Sequence, residues 1–294
     1  MPVSVTEPDC LRRFLFEELN IRGQLVHLDA AWREVLQRRT YPPPVRRLLG
    51  ESMAAAALLT ATVKLDGRLS LQIQSRGPLR SMVVQCSSEL GLRGLARWDQ
   101  IPEQPALASL CPDATLAITL APERGNSYQG LVELGDDTLA SALERYFAHS
   151  EQLPTMLVLA ADRERAAGLL LQELPDVTRD DRDAWNRVGM LAATLEEREL
   201  LSLNAETLLR RLFAEDDVRM FEPEPLSFRC GCSRERTAAV LAALGEEEIE
   251  TLLRERGVVE ISCDFCGHEF HFDPVDVAAI FAGAGSHGPG ATRH

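Results

Sequence analysis

Four of the seven cysteines stand in two short stretches, Cys230 and Cys232 in "RCGCSRER" and Cys263 and Cys266 in "ISCDFCGHEF". One residue separates the first pair, two residues separate the second pair, and 30 residues lie between the pairs. Two closely spaced thiolate pairs are typical of a tetrahedral zinc site, with Zn–S bonds of ~2.3 Å. The spacing therefore predicts that these four cysteines, hereafter the thiol cluster, bind one zinc ion.

The residues beside the cysteines carry the local geometry. Gly267 follows the second pair and permits the tight turn that aims two sulfurs at one metal. Only Gly231 lies within the first pair, which is shorter than the usual spacing of roughly two to four residues. Because glycine bends most easily, we expect Gly231 to make this short chelate loop feasible.

Three interpretations of the thiol cluster stay open on residue types alone. The first is a purely structural zinc module. The second is a nucleic-acid-binding zinc ribbon, but residues 230–273 hold four arginines and no lysine against ten acidic residues, which disfavours phosphate binding. The third is a redox switch, because each pair is close enough to form a disulfide, and the C-x-C ring would be strained and easily reduced.

Other reactive residue types have simpler interpretations. His268 and His271 lie near the cluster, but four cysteines complete the metal's coordination, so we expect both histidines to be strand residues. Cys10, Cys86 and Cys111 are isolated, and the apolar surroundings of Cys86 predict a small core residue. The sequence has no evident Ser–His–Asp set, phosphate loop or paired catalytic carboxylates, so we expect no enzyme activity.

The segment around the thiol cluster predicts a small module of two helices broken at Gly245, a strand from Val258 to Ile261, a return strand "HEFHF" and a last helix capped by Asp273. It has few large apolar side chains. We therefore expect metal binding to supply much of its folding free energy, on the order of 10 kcal/mol or more.

Residues 1–178 predict a mixed domain of strands and a few helices. "AAWREVLQRR" predicts a helix capped by Asp29, and a second helix after the Tyr41-Pro-Pro-Pro run carries the fully apolar stretch Met53–Leu59, which predicts burial. "DDTLASALERYFAHS" predicts an amphipathic helix capped by Asp136 or Asp137. The alternating stretches between these helices predict strands, and their clustering indicates an α+β fold with β-sheets around a buried helix.

Residues 179–229, hereafter the linker, are predicted to be helical, because residues 179–220 are helix formers with dense mixed charge. Short helices need something to pack against, so the linker is either a helical connector resting on the core domain or the last part of that domain. The zinc-binding module then spans residues 230–282, and the glycine-rich residues 283–294 predict a disordered tail.

Composition limits the class of protein. The net charge is −14, which argues against a general nucleic-acid binder. The N-terminal residues do not resemble a signal peptide, and the longest mainly apolar run is too short to span a bilayer, so we expect a soluble cytoplasmic protein without membrane contact. Cytosolic thiols stay reduced, which favours metal-bound or redox-active cysteines over structural disulfides.

The chain resembles the heat shock protein 33 family, the redox-regulated holdase chaperones of bacteria. The resemblance covers nearly the whole chain and rests on the C-x-C and C-x-x-C pairs with "ISCDFCGHEFHF", on "SYQGLVELGDDTLASALERYFAHSEQLPT" and on "AAGLLLQELP".

The resemblance implies a mechanism. Reduced protein would bind one zinc ion through Cys230, Cys232, Cys263 and Cys266 and be inactive. Peroxide or hypochlorous acid, together with unfolding conditions, would form Cys230–Cys232 and Cys263–Cys266 disulfides and expel zinc. The linker would then become disordered, and a homodimer would bind unfolding client proteins without ATP through the core domain and linker. Two alternatives stay open, a thiol–disulfide oxidoreductase using Cys263 and Cys266 and a zinc-ribbon adaptor without a redox response.

Overall fold

A computed structural model describes residues 9–101, 106–135, 138–175 and 183–284. The contacts within the chain divide it into two units, Met1–Arg229 and Cys230–His294. Both combine helices with antiparallel strands, so the predicted α+β class is confirmed. Within the described residues, no helix has the length and apolar character needed to cross a membrane.

The larger unit contains two six-stranded sheets. Sheet A has the order β10-β1-β2-β9-β8, with β11 also paired to β1, and its strands are β1 (Cys10–Phe16), β2 (Ile21–Leu28), β8 (Thr155–Ala161), β9 (Ala166–Glu173), β10 (Val218–Met220) and β11 (Glu224–Pro225). Sheet B has the order β12-β5-β4-β3-β6-β7, and its strands are β3 (Gly67–Gln74), β4 (Leu79–Ser87), β5 (Gly91–Trp98), β6 (Ala114–Pro122), β7 (Tyr128–Leu134) and β12 (Ser227–Phe228). The pairing is antiparallel except between β12 and β5.

Helix α2 (Pro43–Thr62) lies between the two sheets and contacts strands of both. Prolines at its first turn suit a helix start, because those N–H groups have no partner within a helix. The stretch Met53–Leu59 is buried throughout, as its apolar composition predicts. The small side chains of Ala54–Ala57 let the strands approach the helix closely, so α2 forms the centre of the core.

Helix α1 (Ala30–Arg38) is not capped in the predicted way. Asp29 occupies the N-cap position, but its side chain makes no capping hydrogen bond. The carboxylate of Asp9 instead accepts the backbone N–H groups of Asp29 and Ala31, at 2.5 and 3.1 Å. The carboxylate of Asp29 lies 2.5 Å from the guanidinium of Arg33. The predicted cap was therefore wrong, because a residue 20 positions away fills the role.

Helix α4 (Leu139–Tyr146) contacts β7 and β8, the edge strands of the two sheets. Its cap is Thr138, whose hydroxyl accepts the backbone N–H of Ser141 at 3.2 Å. The predicted caps Asp136 and Asp137 lie outside the described residues. A π-helical turn (Phe147–Glu151) extends α4 and ends at Gln152 in the left-handed conformation. A short helix, α3 (Leu107–Leu110), precedes β6.

The described part of the linker, residues 183–229, contains three short helices, α5 (Ala184–Ala192), α6 (Glu197–Ser202) and α7 (Ala205–Leu212). They pack on the face of sheet A opposite α2, where a second apolar cluster is buried: Phe14, Phe16, Ile21, Leu25, Ala160, Ala167, Leu169, Leu171, Ala184, Val188, Ala192, Leu195, Leu200, Ala205, Leu208, Leu209, Leu212 and Phe213. By its contacts the described part of the linker belongs to the larger unit. Its separate behaviour as a connector stays a prediction.

The helical character predicted for the whole linker ends at Leu212. Strands β10 and β11 add to the outer edge of β1, and β12 adds to sheet B. Pro223 and Pro225 lie in this part, and proline cannot continue a helix because it lacks the N–H donor and fixes φ. The helical prediction was therefore wrong for this last part of the linker.

Polar contacts also join the linker to the rest of the larger unit. The carbonyl oxygens of Leu200 and Leu201, at the end of α6, meet the His27 ring at 3.0 Å and the Arg165 guanidinium at 3.0 Å. Within the linker, Arg187 binds Asp216 through two hydrogen bonds of 2.7 and 3.0 Å. The short helices thus depend on sheet A for both apolar and polar partners.

The smaller unit contains α8 (Arg234–Leu244), α9 (Glu246–Arg256), β13 (Val259–Ser262), β14 (Glu269–Phe272) and α10 (Pro274–Ala284). Gly245 separates α8 from α9 with φ +100°, as predicted. Asp273 caps α10 by accepting the N–H of Asp276 at 2.8 Å, which confirms that prediction. Among the described residues of this unit, six apolar side chains are buried: Leu241, Ile249, Val259, Phe270, Phe272 and Val277. Of the predicted tail, residues 285–294 lie outside the described residues.

Candidate metal centre

The ligand atoms of the thiol cluster converge as the spacing predicts. All four sulfurs lie within 4.8 Å of one another, and the four cysteines are partly buried and not joined by disulfides. Sulfurs of different pairs lie close together, 3.5 Å from Cys230 to Cys263 and 3.4 Å from Cys232 to Cys266. A tetrahedral zinc site with ~2.3 Å bonds has sulfur–sulfur distances of roughly 3.8 Å. The cluster could hold a metal ion after small shifts of these side chains.

The second pair lies in the turn between β13 and β14. The Cys263 N–H donates to the carbonyl of His268 at 2.9 Å, and the Gly267 N–H donates to the carbonyl of Cys263 at 2.7 Å. Gly267 has φ +69°, a conformation that side chains rarely adopt, so glycine is needed there as predicted. The hairpin therefore holds Cys263 and Cys266 on one side of a tight turn.

The first pair precedes α8, and Ser233 caps that helix by accepting the N–H of Arg236 at 3.3 Å. The Arg236 guanidinium also donates to the carbonyl of Gly231. Gly231 does not have a positive φ, and a Cβ added there would lie 2.8 Å from the flexible end of Arg236. The expected need for glycine at position 231 was therefore wrong, since its backbone is ordinary and the obstacle is a movable side chain.

Arg234 fixes the start of α8, and the sequence did not single it out. Its guanidinium donates to the carbonyl of His271 at 2.8 Å, pairs with Asp276 at 2.6 Å and lies 4.4 Å from the centre of the Phe272 ring. These contacts join the helix that follows the first cysteine pair to β14 and α10. A basic residue two positions after the C-x-C pair was the available signal, although its partners are distant in sequence.

The environment separates the acidities of the thiols. Partial burial raises the pKa of Cys230, but hydrogen bonds from the Cys232 backbone and from neighbouring thiols outweigh it, so its pKa falls to about 7. Burial raises the pKa of Cys232, and hydrogen bonding to Cys266 and Cys230 raises it further. Burial likewise raises the pKa of Cys266. Cys230 thus becomes a thiolate, the nucleophilic form, more readily than Cys232 or Cys266.

The two histidines near the cluster have other partners. His271 lies in β14, as predicted, with its Nδ1 3.4 Å from the Glu260 carboxylate. His268 precedes that strand and packs edge-on against Phe270 with ring centres 4.6 Å apart. The prediction of a strand was wrong for His268, because it falls within the turn that follows the second cysteine pair.

The remaining cysteines lie in the larger unit. Cys10, Cys86 and Cys111 are buried, and Cys86 stands in the core face of β4 as predicted. Burial raises the pKa of Cys86 to about 12 and that of Cys111 to about 11. These two thiols therefore stay protonated at neutral pH, in contrast to Cys230.

Comparison with solved structures establishes the class of fold. The 33 kDa chaperonin (heat shock protein 33 homolog) of Thermotoga maritima is similar to this chain with a TM-score of 0.80, over 95% of this chain and 100% of the other, at 21% identity. This likeness shows a shared fold.

Sequence comparison gives the family. The model of the family described as "Hsp33 protein" matches residues 9–273. The "33 kDa chaperonin" of Azotobacter vinelandii is 50% identical over 97% of this chain and 99% of its own length, and that of Nitrosococcus oceani is 49% identical over the same shares. The chain therefore belongs to the Hsp33 family. It is a chaperone rather than an enzyme, and the partners of a chaperone are unfolded client proteins.

Proposed function

We propose that this chaperone is an ATP-independent holdase of the cytoplasm whose activity depends on the oxidation state of the thiol cluster. The reduced protein, with one Zn²⁺ on Cys230, Cys232, Cys263 and Cys266, is inactive. Oxidation to Cys230–Cys232 and Cys263–Cys266 disulfides releases the ion and activates a homodimer that binds unfolding proteins. The observation that carries this proposal is the convergence of four cysteine sulfurs in the unit with the smaller core.

The donor set fits zinc. Four sulfur ligands from two separate turns suit a tetrahedral structural site, and the sulfurs are close enough together to share one ion. When bound, the ion cross-links the turn before α8 to the β13–β14 turn and contributes folding free energy to the smaller unit.

The proposed oxidation is balanced with hydrogen peroxide as the oxidant. In the zinc-bound state each cysteine pair enters as two thiolates, which lose two electrons and form one S–S bond, while one peroxide takes up these electrons and two protons from the solvent and is reduced to two waters. Sulfurs of different pairs lie 3.4 and 3.5 Å apart, whereas the proposed disulfides form within each pair. Oxidation therefore requires each turn to rearrange towards an S–S distance of ~2.05 Å, which separates the four ligands.

Without the cross-link, only six buried apolar side chains remain among the described residues of the smaller unit. So small a core does not offset the conformational entropy of the chain, so the unit unfolds. The linker ends directly before it, since β12 finishes at Phe228 and the Arg229 N–H donates to the carbonyl of Leu92 at 2.9 Å.

Release of the linker would expose apolar surface on the linker helices and on the face of sheet A that they cover. Its own buried side chains and the face of sheet A beneath them form one continuous cluster. A large exposed apolar patch is the kind of surface that binds unfolded chains. The proposal thus assigns client binding to a surface that is covered in the reduced state.

The test monitors zinc and chaperone activity in one sample. Reduced, zinc-loaded protein is treated with peroxide under mild heating, while a chromogenic chelator reports zinc and light scattering reports client aggregation. We expect one zinc per chain to be released as aggregation is suppressed, with the two disulfides mapped by mass spectrometry. Cys111→Ala, which removes a thiol outside the cluster, is the matched control and should respond like the parent. Zinc release with no gain in suppression would contradict the proposal and would favour a zinc-ribbon adaptor.

A second variant tests the linker separately. Leu208 is fully buried on sheet A, and truncating such a leucine typically costs about 2–5 kcal/mol. We expect Leu208→Ala to suppress client aggregation while its cysteines remain reduced and zinc-bound. Leu131→Ala removes the same atoms at a position that is 65% exposed and should leave the reduced protein inactive. An inactive reduced Leu208→Ala protein with a destabilised linker would show that linker release is not the activating step.

A further inference from the structure

A cavity of about 360 Å³ lies in the larger unit at the C-terminal end of α2. Ligand pockets in proteins usually measure roughly 300–1,000 Å³, so its size suits a small organic molecule. The wall is largely apolar and comes from α2, both sheets and the segment after α4, including Leu59, Leu69, Ile118, Leu120, Phe147 and Leu153. An elongated apolar group would make favourable contacts with this wall.

The lining of this cavity includes one cationic side chain, Arg22. Arg22 on β2 is half-buried, and its Nε and Nη2 donate to the Oε1 of Gln172. Gln172 is 1% exposed and donates in turn to the hydroxyl of Thr155 at 2.9 Å, which itself donates to the carbonyl of Leu153 at 2.9 Å. This chain of hydrogen bonds fixes the guanidinium at the cavity wall.

The charge of Arg22 is not compensated within the described residues. No carboxylate of those residues lies within 4.0 Å of it, and its Nη1 has no acceptor among them. Burial lowers the pKa of Arg22, and the nearby charge of Arg13 lowers it further, yet a guanidinium stays cationic at neutral pH. A half-buried cation without a counter-ion is costly, which favours binding of an anion at this point.

Glu151, the acidic residue of the cavity lining, lies at the rim and already accepts a hydrogen bond. The Tyr146 hydroxyl donates to the exposed carboxylate of Glu151 at 2.9 Å and lies 3.3 Å from the hydroxyl of Tyr128. The π-helical turn and the left-handed Gln152 place Glu151 there. A Cβ at Gly130 would lie 2.6 Å from the Tyr146 hydroxyl, so glycine makes room for this ring. The rim is therefore polar and aromatic, while the inner wall offers Arg22.

We propose that this cavity binds an amphiphilic monocarboxylate of the fatty-acid class, with its carboxylate on Arg22 and its hydrocarbon chain between the two sheets. Charge complementarity selects the carboxylate over neutral or cationic amphiphiles. The apolar wall disfavours nucleotides and sugars, which would lose more hydration than the few polar groups here replace. This site is independent of the thiol cluster and goes beyond the proposed holdase function.

The test is calorimetric titration of the full-length, reduced, zinc-loaded protein with decanoate below its micelle concentration. We expect one site per chain, with 1-decanol bound more weakly and decyltrimethylammonium more weakly still. Arg22→Gln removes the charge, and we expect it to weaken decanoate binding roughly ten- to a hundredfold while 1-decanol binding is unchanged. Arg22→Lys keeps the charge and should retain most of the affinity.

Two further variants make the outcome decisive. Arg13→Gln removes a neighbouring positive charge outside the cavity lining and should leave decanoate binding within about threefold of the parent. Val63→Trp places a large ring at the cavity mouth and should block decanoate and 1-decanol alike. Equal affinity for decanoate and 1-decanol, or unaltered decanoate binding in either Arg22→Gln or Val63→Trp, would overturn the proposal. Because Val63→Trp leaves Arg22 intact, it decides the question even if Arg22→Gln does not fold.

Discussion

The two units of this chaperone differ most in what holds them together. The larger unit encloses α2 between two sheets and buries a second apolar cluster outside sheet A. The smaller unit has a two-stranded hairpin, three helices and a small apolar core. A chain with so little apolar burial needs another source of stability, and the thiol cluster is placed to supply it through a metal. The four cysteines that could bind a metal thus lie in the unit whose apolar core is the smaller of the two.

The linker is intermediate between the two units. Its helices have 9, 6 and 8 residues, too short to be stable alone in water. Their apolar faces are nevertheless buried on sheet A. The linker therefore has a large interface but little stability of its own, which suits a segment that docks and undocks as a whole.

The largest expected effect comes from removing the metal under reducing conditions. A strong chelator should unfold the smaller unit, since zinc binding contributes on the order of 10 kcal/mol or more to such modules. Hydrogen exchange should then show loss of protection in α8–α10, β13 and β14, with β2 and β9 still protected. Cys232→Ala should have the same effect without a chelator.

The control for that comparison is Cys86→Ala, which removes a buried thiol of the larger unit. It should lower the stability of that unit and leave zinc stoichiometry at one. Retained protection of the smaller unit after complete chelation would mean that its apolar core is sufficient, and the contrast between the two units would be lost.

A smaller effect is expected from a matched pair of helix caps, Asp273 at α10 and Thr138 at α4. Replacing either by Ala should cost about 1 kcal/mol. The proposed coupling of folding to metal binding in the smaller unit predicts that Asp273→Ala weakens zinc affinity roughly fivefold. Thr138→Ala should lower only the stability of the larger unit. Equal zinc affinity in all three proteins, by competition with a chelator, would show that folding and metal binding are uncoupled.

The smallest effect concerns a carboxylate of the larger unit. Burial raises the pKa of Glu144, although its hydrogen bond from the Leu157 N–H, at 2.7 Å, opposes the shift. The folded state thus binds the proton more tightly than the unfolded state, so the ionised group lowers stability at neutral pH. This loss is relieved as the pH falls through the raised pKa and is gone below the unfolded value of 4.5.

Glu144→Gln keeps the acceptor for Leu157 and removes the charge. Its free energy of unfolding should exceed that of the parent by under about 1 kcal/mol at pH 7, and the difference should disappear near pH 4. Urea unfolding at both pH values measures this difference. Glu133→Gln, at an exposed position of β7, measures the effect of removing one surface charge. A gain that persists at pH 4 would point to packing instead of ionisation.

The sequence predicted the features that arise from local patterns. The apolar run of α2, the hairpin that carries Cys263 and Cys266, and the break at Gly245 follow from residue periodicity and from turn residues. The thiol cluster itself was predicted from spacing, because two closely spaced cysteine pairs in turns are typical of a single site with four sulfur ligands.

The rest depended on contacts between distant residues. Asp9 caps α1 from 20 positions away, and Arg234 meets partners more than 35 residues later. The uncompensated charge of Arg22 becomes visible only when β2, β9 and the segment after α4 surround one cavity. In the linker, prolines after Met220 were the signal for extended structure. The partners of β10, β11 and β12 could not be predicted, because they lie far away in sequence, near residues 10–16 and 91–92.

The outer edge of β1 is completed by β10 and β11, which are roughly 200 residues later in the chain. During synthesis at about 5–20 residues per second, this edge would wait roughly 10–40 s for its partners. An unpaired edge strand is a template on which other chains can aggregate. The newly made polypeptide therefore passes through a period at the ribosome when it needs the same protection that the finished protein gives to its clients.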